Sequence, residues 1–534
     1  MKIKYTIIIV ICSAILLHTG CKKNESFPDP YGGGQPLTSI TFSKKPPLPS
    51  RGVAGQDMTF FVTGLNAKNS SNIKFLANDL EAVIKNITDS TITITLPQNV
   101  SSGAASLRAE GQVFQGPNIY IEGKLYRDPS FKSGIGTNGT IYDILPDVNG
   151  QYIIAGRFTT YNVNTGLSSI TKINMSGEKI DGLTIGNGLS SGFISSLLRL
   201  PNNDLMIAGN FAMFDSITDM SNITLLNSSG SIRKREVDLY VAPENSDPSY
   251  AKDTVPQFIG NLIGSVNNLY YHNNTITAVG SMLSYAQYFY ERSTKNNKLI
   301  DYASILPISR MYLSGDVDSN YLFNKTNPKQ RPLGFNGSIY GPKIQNDGKL
   351  IVVGSFTSFA GVNCNHIARL NVDGSLDQSF NTGNGANAVI NNITYNSTTQ
   401  KYIITGNFTS YNGTPINNLA VLNSDGTLNS EFMTAGAFNG GIPTFAAQLS
   451  NGLIIVTGGF EKYNNITRKG LMVLNTDGSL AANYNSTGAF SGTTYKMVET
   501  KSGIGGLVAV ILVGSINTFE GESCGGIIKL VFGN

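Results

Sequence analysis

From residue 124 onward the chain alternates short apolar runs with clusters of Gly, Asn, Asp and Ser, and one pattern keeps returning. A run ending in Gly-x-Phe occurs as IIAGRF (Gly156, Phe158), MIAGNF (Gly209, Phe211), VVGSF (Gly354, Phe356), IITGNF (Gly406, Phe408) and IVTGGF (Gly458, Phe460). Altered copies stand at TAVGSM (Gly280, Met282) and ILVGSI (Gly514, Ile516). Seventeen or eighteen residues after each of the five clear glycines comes Asn-x-(Ser or Asp)-Gly, at Asn174, Asn227, Asn371, Asn423 and Asn475. Runs such as LIVVGSF lack polar alternation and predict strands buried on both faces. A glycine inside such a strand marks close approach of another backbone, and the residue two positions on points to the same side. The Asn-x-Asp-Gly clusters predict tight hairpin turns, because Asn, Asp and Gly tolerate positive φ.

The glycine-to-glycine spacings are 53, 71, 74, 52, 52 and 56. A unit of about 52 residues with four short strands is one blade of a β-propeller, and seven anchors predict seven blades. LDQSF (376–380), LNSEF (428–432) and LAANY (480–484) read as outermost strands after their turns. The last unit stops at IIKLVFGN without one, whereas LYRDPSF (125–131) supplies one before the first unit begins. An N-terminal outer strand would therefore close the ring and leave no open sheet edge. The clear copies resemble the delta-60-type repeat, a propeller-forming family, over about three quarters of the chain.

Residues 37–122 read as a separate β-domain: MTFFVTGL, NIKFL, STITITLP, AASLRAEG and PNIYIEG are short strands between turn clusters. Several such strands in about 85 residues predict an immunoglobulin-like sandwich. The succession from Gly55 (GQDMTFFVTGL), through TITITLP from Thr91, to SGAASLR resembles the IPT/TIG family. That resemblance implies a spacer or protein-contact module. The expected fold class is thus all-β, a sandwich at 37–122 followed by a seven-bladed propeller at 124–534.

Residues 1–20 carry Lys2 and Lys4 before an apolar run from Thr6 to Leu17, the pattern of an export signal and too short to span a bilayer. Leu-His-Thr-Gly-Cys then ends at Cys21 and resembles a bacterial lipobox, which implies diacylation of Cys21 and a membrane anchor. Residues 22–36 are polar and rich in Pro and Gly, a flexible tether of roughly 20 Å reach.

Composition excludes more than it adds. Removal of Lys2 and Lys4 brings the net charge from +4 to about +2, and no basic stripe with interleaved aromatics suggests nucleic acid. Cys364 and Cys524 occupy the same loop position in units four and seven, too far apart around a ring for a disulfide. Cys364 with His366 could be a nucleophile and its base, but nothing orients them, and both read as loop residues. Two histidines and two thiols after the signal make no zinc site. Asp373, Asp425 and Asp477 offer one carboxylate per turn, too few for calcium. No cofactor is expected. The second and third spacings exceed the basic period by about twenty residues, near 233–255 and 285–332. The second insertion is rich in aromatics, and Tyr285, Tyr288, Phe289, Tyr290, Tyr302, Tyr312 and Tyr321 are candidate ligand-stacking residues; packing of the third unit is the alternative.

Anchor, spacer and decorated propeller together resemble accessory lipoproteins of SusC/SusD-like nutrient-uptake systems. That implies a non-catalytic protein facing the cell exterior at the outer membrane, capturing a peptide or glycan beside a transporter. A propeller glycoside hydrolase or lyase is the alternative, since its carboxylate pair leaves no motif. A structural envelope protein with a protein partner alone is a third reading. Cys21→Ser is expected to move the protein from the membrane pellet to the soluble fraction; retention in the pellet would contradict the anchor.

Overall fold

The computed structural model describes residues 39–65, 72–218, 220–241, 251–258, 261–380, 383–432 and 437–534; the signal, Cys21 and the tether lie outside them. In the N-terminal unit seven antiparallel strands run in the order Thr41–Phe42, Asp57–Thr63, Thr91–Thr95, Leu80–Ile87, Lys74–Ala77, Gly103–Ala109, Gln112–Ile119. Leu80–Ile87 belongs to two layers. Its first residues pair with Lys74–Ala77, and from Val83 it pairs with Thr91–Thr95. Such a strand makes a corner, which lets one hydrogen-bonded path wrap a core. Phe42, Phe60 and Phe75 meet inside, with ring centroids 4.6–6.3 Å apart.

From residue 140 one sheet follows another. Their first strands are Thr140–Pro146, Phe193–Arg199, Asn261–His272, Ile339–Ile344, Ile390–Asn396, Pro443–Gln448 and Phe490–Lys501, numbered here sheets 1 to 7. In each, the first strand pairs with a second that carries the anchor glycine, and the second pairs with a third. The reason for glycine is geometric. A Cβ at Gly156, Gly209, Gly280, Gly354, Gly406, Gly458 or Gly514 would lie no more than 2.5 Å from a backbone oxygen of its own first strand or the residue just before it. Opposite each glycine the first strand carries a β-bulge.

The glycine N–H is lost to the sheet ladder and finds a partner at the start of the third strand. Gly156, Gly209, Gly354, Gly406, Gly458 and Gly514 donate to the carbonyls of Ser169, Asn222, His366, Asn418, Gly470 and Gly526. All six acceptor residues have positive φ, between 61° and 89°. His366 therefore stands at a left-handed corner that Asn, Gly or Ser fills elsewhere, and its ring Nδ1 lies 3.1 Å from the Gly354 oxygen.

Each sheet is tied to the next by a side chain. The links are Leu197 N–H to the Asp143 carboxylate (2.8 Å), Ser195 hydroxyl to the Val266 carbonyl, and Tyr270 hydroxyl to the Pro342 carbonyl (2.6 Å). Gln345 then donates to the Tyr402 hydroxyl (2.8 Å), Thr394 to the Ala446 carbonyl (2.6 Å), and Thr457 to Thr494 (2.9 Å). Lys496 of sheet 7 returns to Asp143 of sheet 1 at 2.9 Å. Leu125–Arg127 pairs antiparallel with Ile527–Phe532, and Asp128 beyond it forms a fully buried ion pair with Lys529 at 3.3 Å.

The outer strands are shorter than expected. LDQSF, LNSEF and LAANY each contribute a single bridge, Leu370 to Leu376, Leu422 to Leu428 and Leu474 to Leu480. In the first of them Asp377 ends the strand. Its Oδ1 accepts from both the backbone N–H and the hydroxyl of Ser379, which bends the chain, while Oδ2 takes Arg369 and Lys349. The turn aspartates Asp373, Asp425 and Asp477 likewise accept from the Ser or Thr two residues on.

Gly406→Ala is expected to cost about 1–3 kcal/mol by overpacking, read as a lower midpoint in urea. Gly459→Ala, where a Cβ meets nothing within 4 Å, should change it by less than about 0.5 kcal/mol. Equal effects would refute the close-approach account.

Candidate functional site

The first strands of all seven sheets converge on one cavity of about 620 Å³, within the range that holds a small ligand or the end of a chain. It is aimed by the bulges. The unpaired bulge residue is Tyr142 in sheet 1, Ser195 in sheet 2, Asn267 in sheet 3, Tyr340 in sheet 4 and Tyr495 in sheet 7, and all five line the cavity. An extra residue in a strand turns its side chain away from the ladder, here toward the axis. Tyr142 lies 5.2 Å from Phe193 and 5.5 Å from Tyr495 by ring centroid, at tilts of 49° and 54°. The Arg157 guanidinium stands 4.9 Å over Phe193.

Three charged groups line the cavity: Asp143, Lys343 and Lys496. Asp143 is buried, and its oxygens are occupied by the N–H groups of Ile144 (2.9 Å) and Leu197 (2.8 Å) and by Lys496. Lys343 forms no ion pair or hydrogen bond among the described residues. Burial and the neighbouring Lys496 push its ammonium down to about 8, against a weaker upward pull from Asp143. Tyr270 beside it is held well above its ordinary value by burial and Asp143. A second concavity, about 650 Å³, lies on the N-terminal unit between Phe42, Lys45, Arg51 and Tyr120. Two of the three cations lining it are already seated on rings, Lys45 5.5 Å over Phe61 and Arg51 5.6 Å over Tyr120.

None of the seven aromatics picked from the insertion reaches the axial cavity. Tyr285, Tyr288, Tyr290 and Tyr321 are buried, so their faces are taken by packing, which corrects their choice as ligand-stacking residues. Tyr288 and Tyr290 stack at 5.6 Å and join Val237, Leu239 and Val255 of the other insertion in one apolar cluster. The Tyr285 hydroxyl donates to the Gly315 carbonyl, and the Arg310 guanidinium caps Tyr321 at 4.3 Å. Phe289 is half-buried under Arg292, Tyr312 donates to Asp318, and Tyr302 is exposed. The two insertions thus pack on each other through aromatic residues. Cys364 and Cys524 are buried free thiols, and burial pushes Cys364 up to about 11, the opposite of an activated nucleophile. Cys21 lies outside the described residues.

Three segments, 345–380, 401–432 and 449–480, match a family model described as a domain of unknown function (DUF5122) β-propeller. Residues 17–117 match a second, a domain of unknown function (DUF5008). No curated protein matches the chain. Among solved structures it is similar to the computationally designed Ika8 protein (10% identity, TM-score 0.36, 81% of this chain and 91% of that one). It is also similar to an auxiliary nutrient binding protein from Bacteroides thetaiotaomicron (9%, 0.26, 93% and 98%) and to YCF48 from Cyanidioschyzon merolae (11%, 0.33, 77% and 98%). Likenesses at these scores carry no argument about function. The chain is an all-β protein with a β-propeller region.

Lys343 gives the site a pH signature. Its folded value of about 8 lies below the ordinary 10.5, so between those limits the unfolded chain binds more protons and stability rises with pH. The penalty is fully present below pH 8. Lys343→Met is expected to raise Tm at pH 7 by roughly 1–3 °C and to flatten that rise. A lower Tm would show a structural ammonium instead.

Proposed function

We propose that the mature chain is an outer-membrane lipoprotein, anchored through Cys21 and facing the cell exterior, that captures a nutrient ligand without transforming it. The seven sheets form a seven-bladed propeller closed by Leu125–Arg127, carried on an IPT/TIG-like sandwich, beside a SusC/SusD-like transporter. The observation that carries the capture reading is the axial cavity, where all seven first strands present side chains and bulges turn Tyr142, Tyr340 and Tyr495 inward. Aromatic faces with a few polar groups bind small ligands without any reactive constellation. Hydrolysis of a glycosidic bond uses two carboxylates flanking it. Among the described residues Asp143 is the one carboxylate lining the cavity, and Lys496 and two backbone N–H groups occupy it.

Full-length protein in detergent, incubated with peptide and glycan mixtures, should retain a ligand and release no product. Tyr142→Ala with Tyr495→Ala should weaken retention roughly fivefold or more, since each aromatic contact contributes about 0.5–1.5 kcal/mol. Tyr302→Ala should leave it unchanged. Product formation would overturn the reading.

A further inference from the structure

We propose that the axial cavity contains a carboxylate subsite, with Lys343 as the receiving cation, and that its occupant is the free C-terminal end of a short peptide. The inference rests on the capture reading and names the chemistry of the captured group.

The charge pattern comes first. Of the two lysines lining the cavity, Lys496 is committed to Asp143 at 2.9 Å. Asp143 in turn accepts the N–H groups of Ile144 and Leu197, so it tethers sheets 7, 1 and 2 and has no free oxygen to offer. Lys343, half-buried in the cavity wall, is left as one positive charge without an anion of its own. An ammonium in that position costs free energy unless something negative meets it. A ligand carboxylate supplies that charge and is the better partner because it can take donors from several sides. Burial and Lys496 lower the Lys343 ammonium, and an anion placed against it reverses that shift.

The remainder of the lining selects among carboxylates. Asn267, Asn268 and Asn392 line the cavity, and each side-chain amide offers both a donor and an acceptor, the same pair that a peptide bond presents. The rings of Tyr142, Phe193 and Tyr495 are tilted against one another rather than laid flat. Tilted rings form a wedge for a side chain, whereas a sugar ring needs an open flat face. The chain also contains no tryptophan.

The test uses full-length protein in detergent and calorimetric titration with tri- to pentapeptides in two forms, free acid and C-terminal amide. Oligogalacturonate serves as an acidic sugar of similar size. Free-acid peptides should bind at least tenfold tighter than their amides. Lys343→Met should remove that preference without lowering Tm, and Lys343→Arg should retain most of it. Equal binding of acid and amide peptides, or an unchanged preference in Lys343→Met, would overturn the carboxylate subsite and leave capture standing. Binding of oligogalacturonate with no peptide bound would overturn the peptide assignment. If no probe of either class is retained, capture and subsite fall together.

Discussion

Seven times, a glycine in the second strand of a sheet meets a backbone oxygen at its first strand so closely that no Cβ fits between them. That contact forces a bulge, and the bulge does two things at once. It frees the glycine N–H, which in six of the seven sheets binds a left-handed corner ahead of the third strand. It also rotates one residue of each first strand out of the ladder, and five of those residues reach the axial cavity. The element that repeats for structural reasons thereby carries positions that are free to vary for functional ones.

This explains which parts of the molecule were legible in the sequence. Gly156 through Gly514 repeat because every copy faces the same steric constraint, and the Asn-x-Asp-Gly turns repeat because each must close the same hairpin. The strand at Leu125–Arg127 was visible as a missing piece at the other end of the chain. Tyr142, Ser195, Asn267, Tyr340 and Tyr495 were not visible, because they share a place and not a chemistry. Counting back fourteen residues from Gly156, Gly209 and Gly354 finds Tyr142, Ser195 and Tyr340, so for these three spacing from the anchor was the available signal. Asp143 and Lys496 come together through ring closure across some 350 residues, and no local pattern announces such a pair.

The aromatic insertion misled for a related reason. A cluster of tyrosines in a long loop reads the same whether it faces a ligand or another loop. Here Tyr288 and Tyr290 pack on Val237, Leu239 and Val255, so the two insertions stabilise each other. Cys364 and His366 have a similar history. They stand two positions apart in a loop that turns left-handed at His366, where the imidazole lies against the Gly354 carbonyl while the Cys364 thiol packs in an apolar cluster.

The most direct measurement is a crystal structure of the protein grown with the ligand it retains. Density inside the ring of seven first strands, in contact with Tyr142 and within reach of Lys343, is the predicted result. An empty axis with the ligand seated on the insertions or on the N-terminal unit would contradict it.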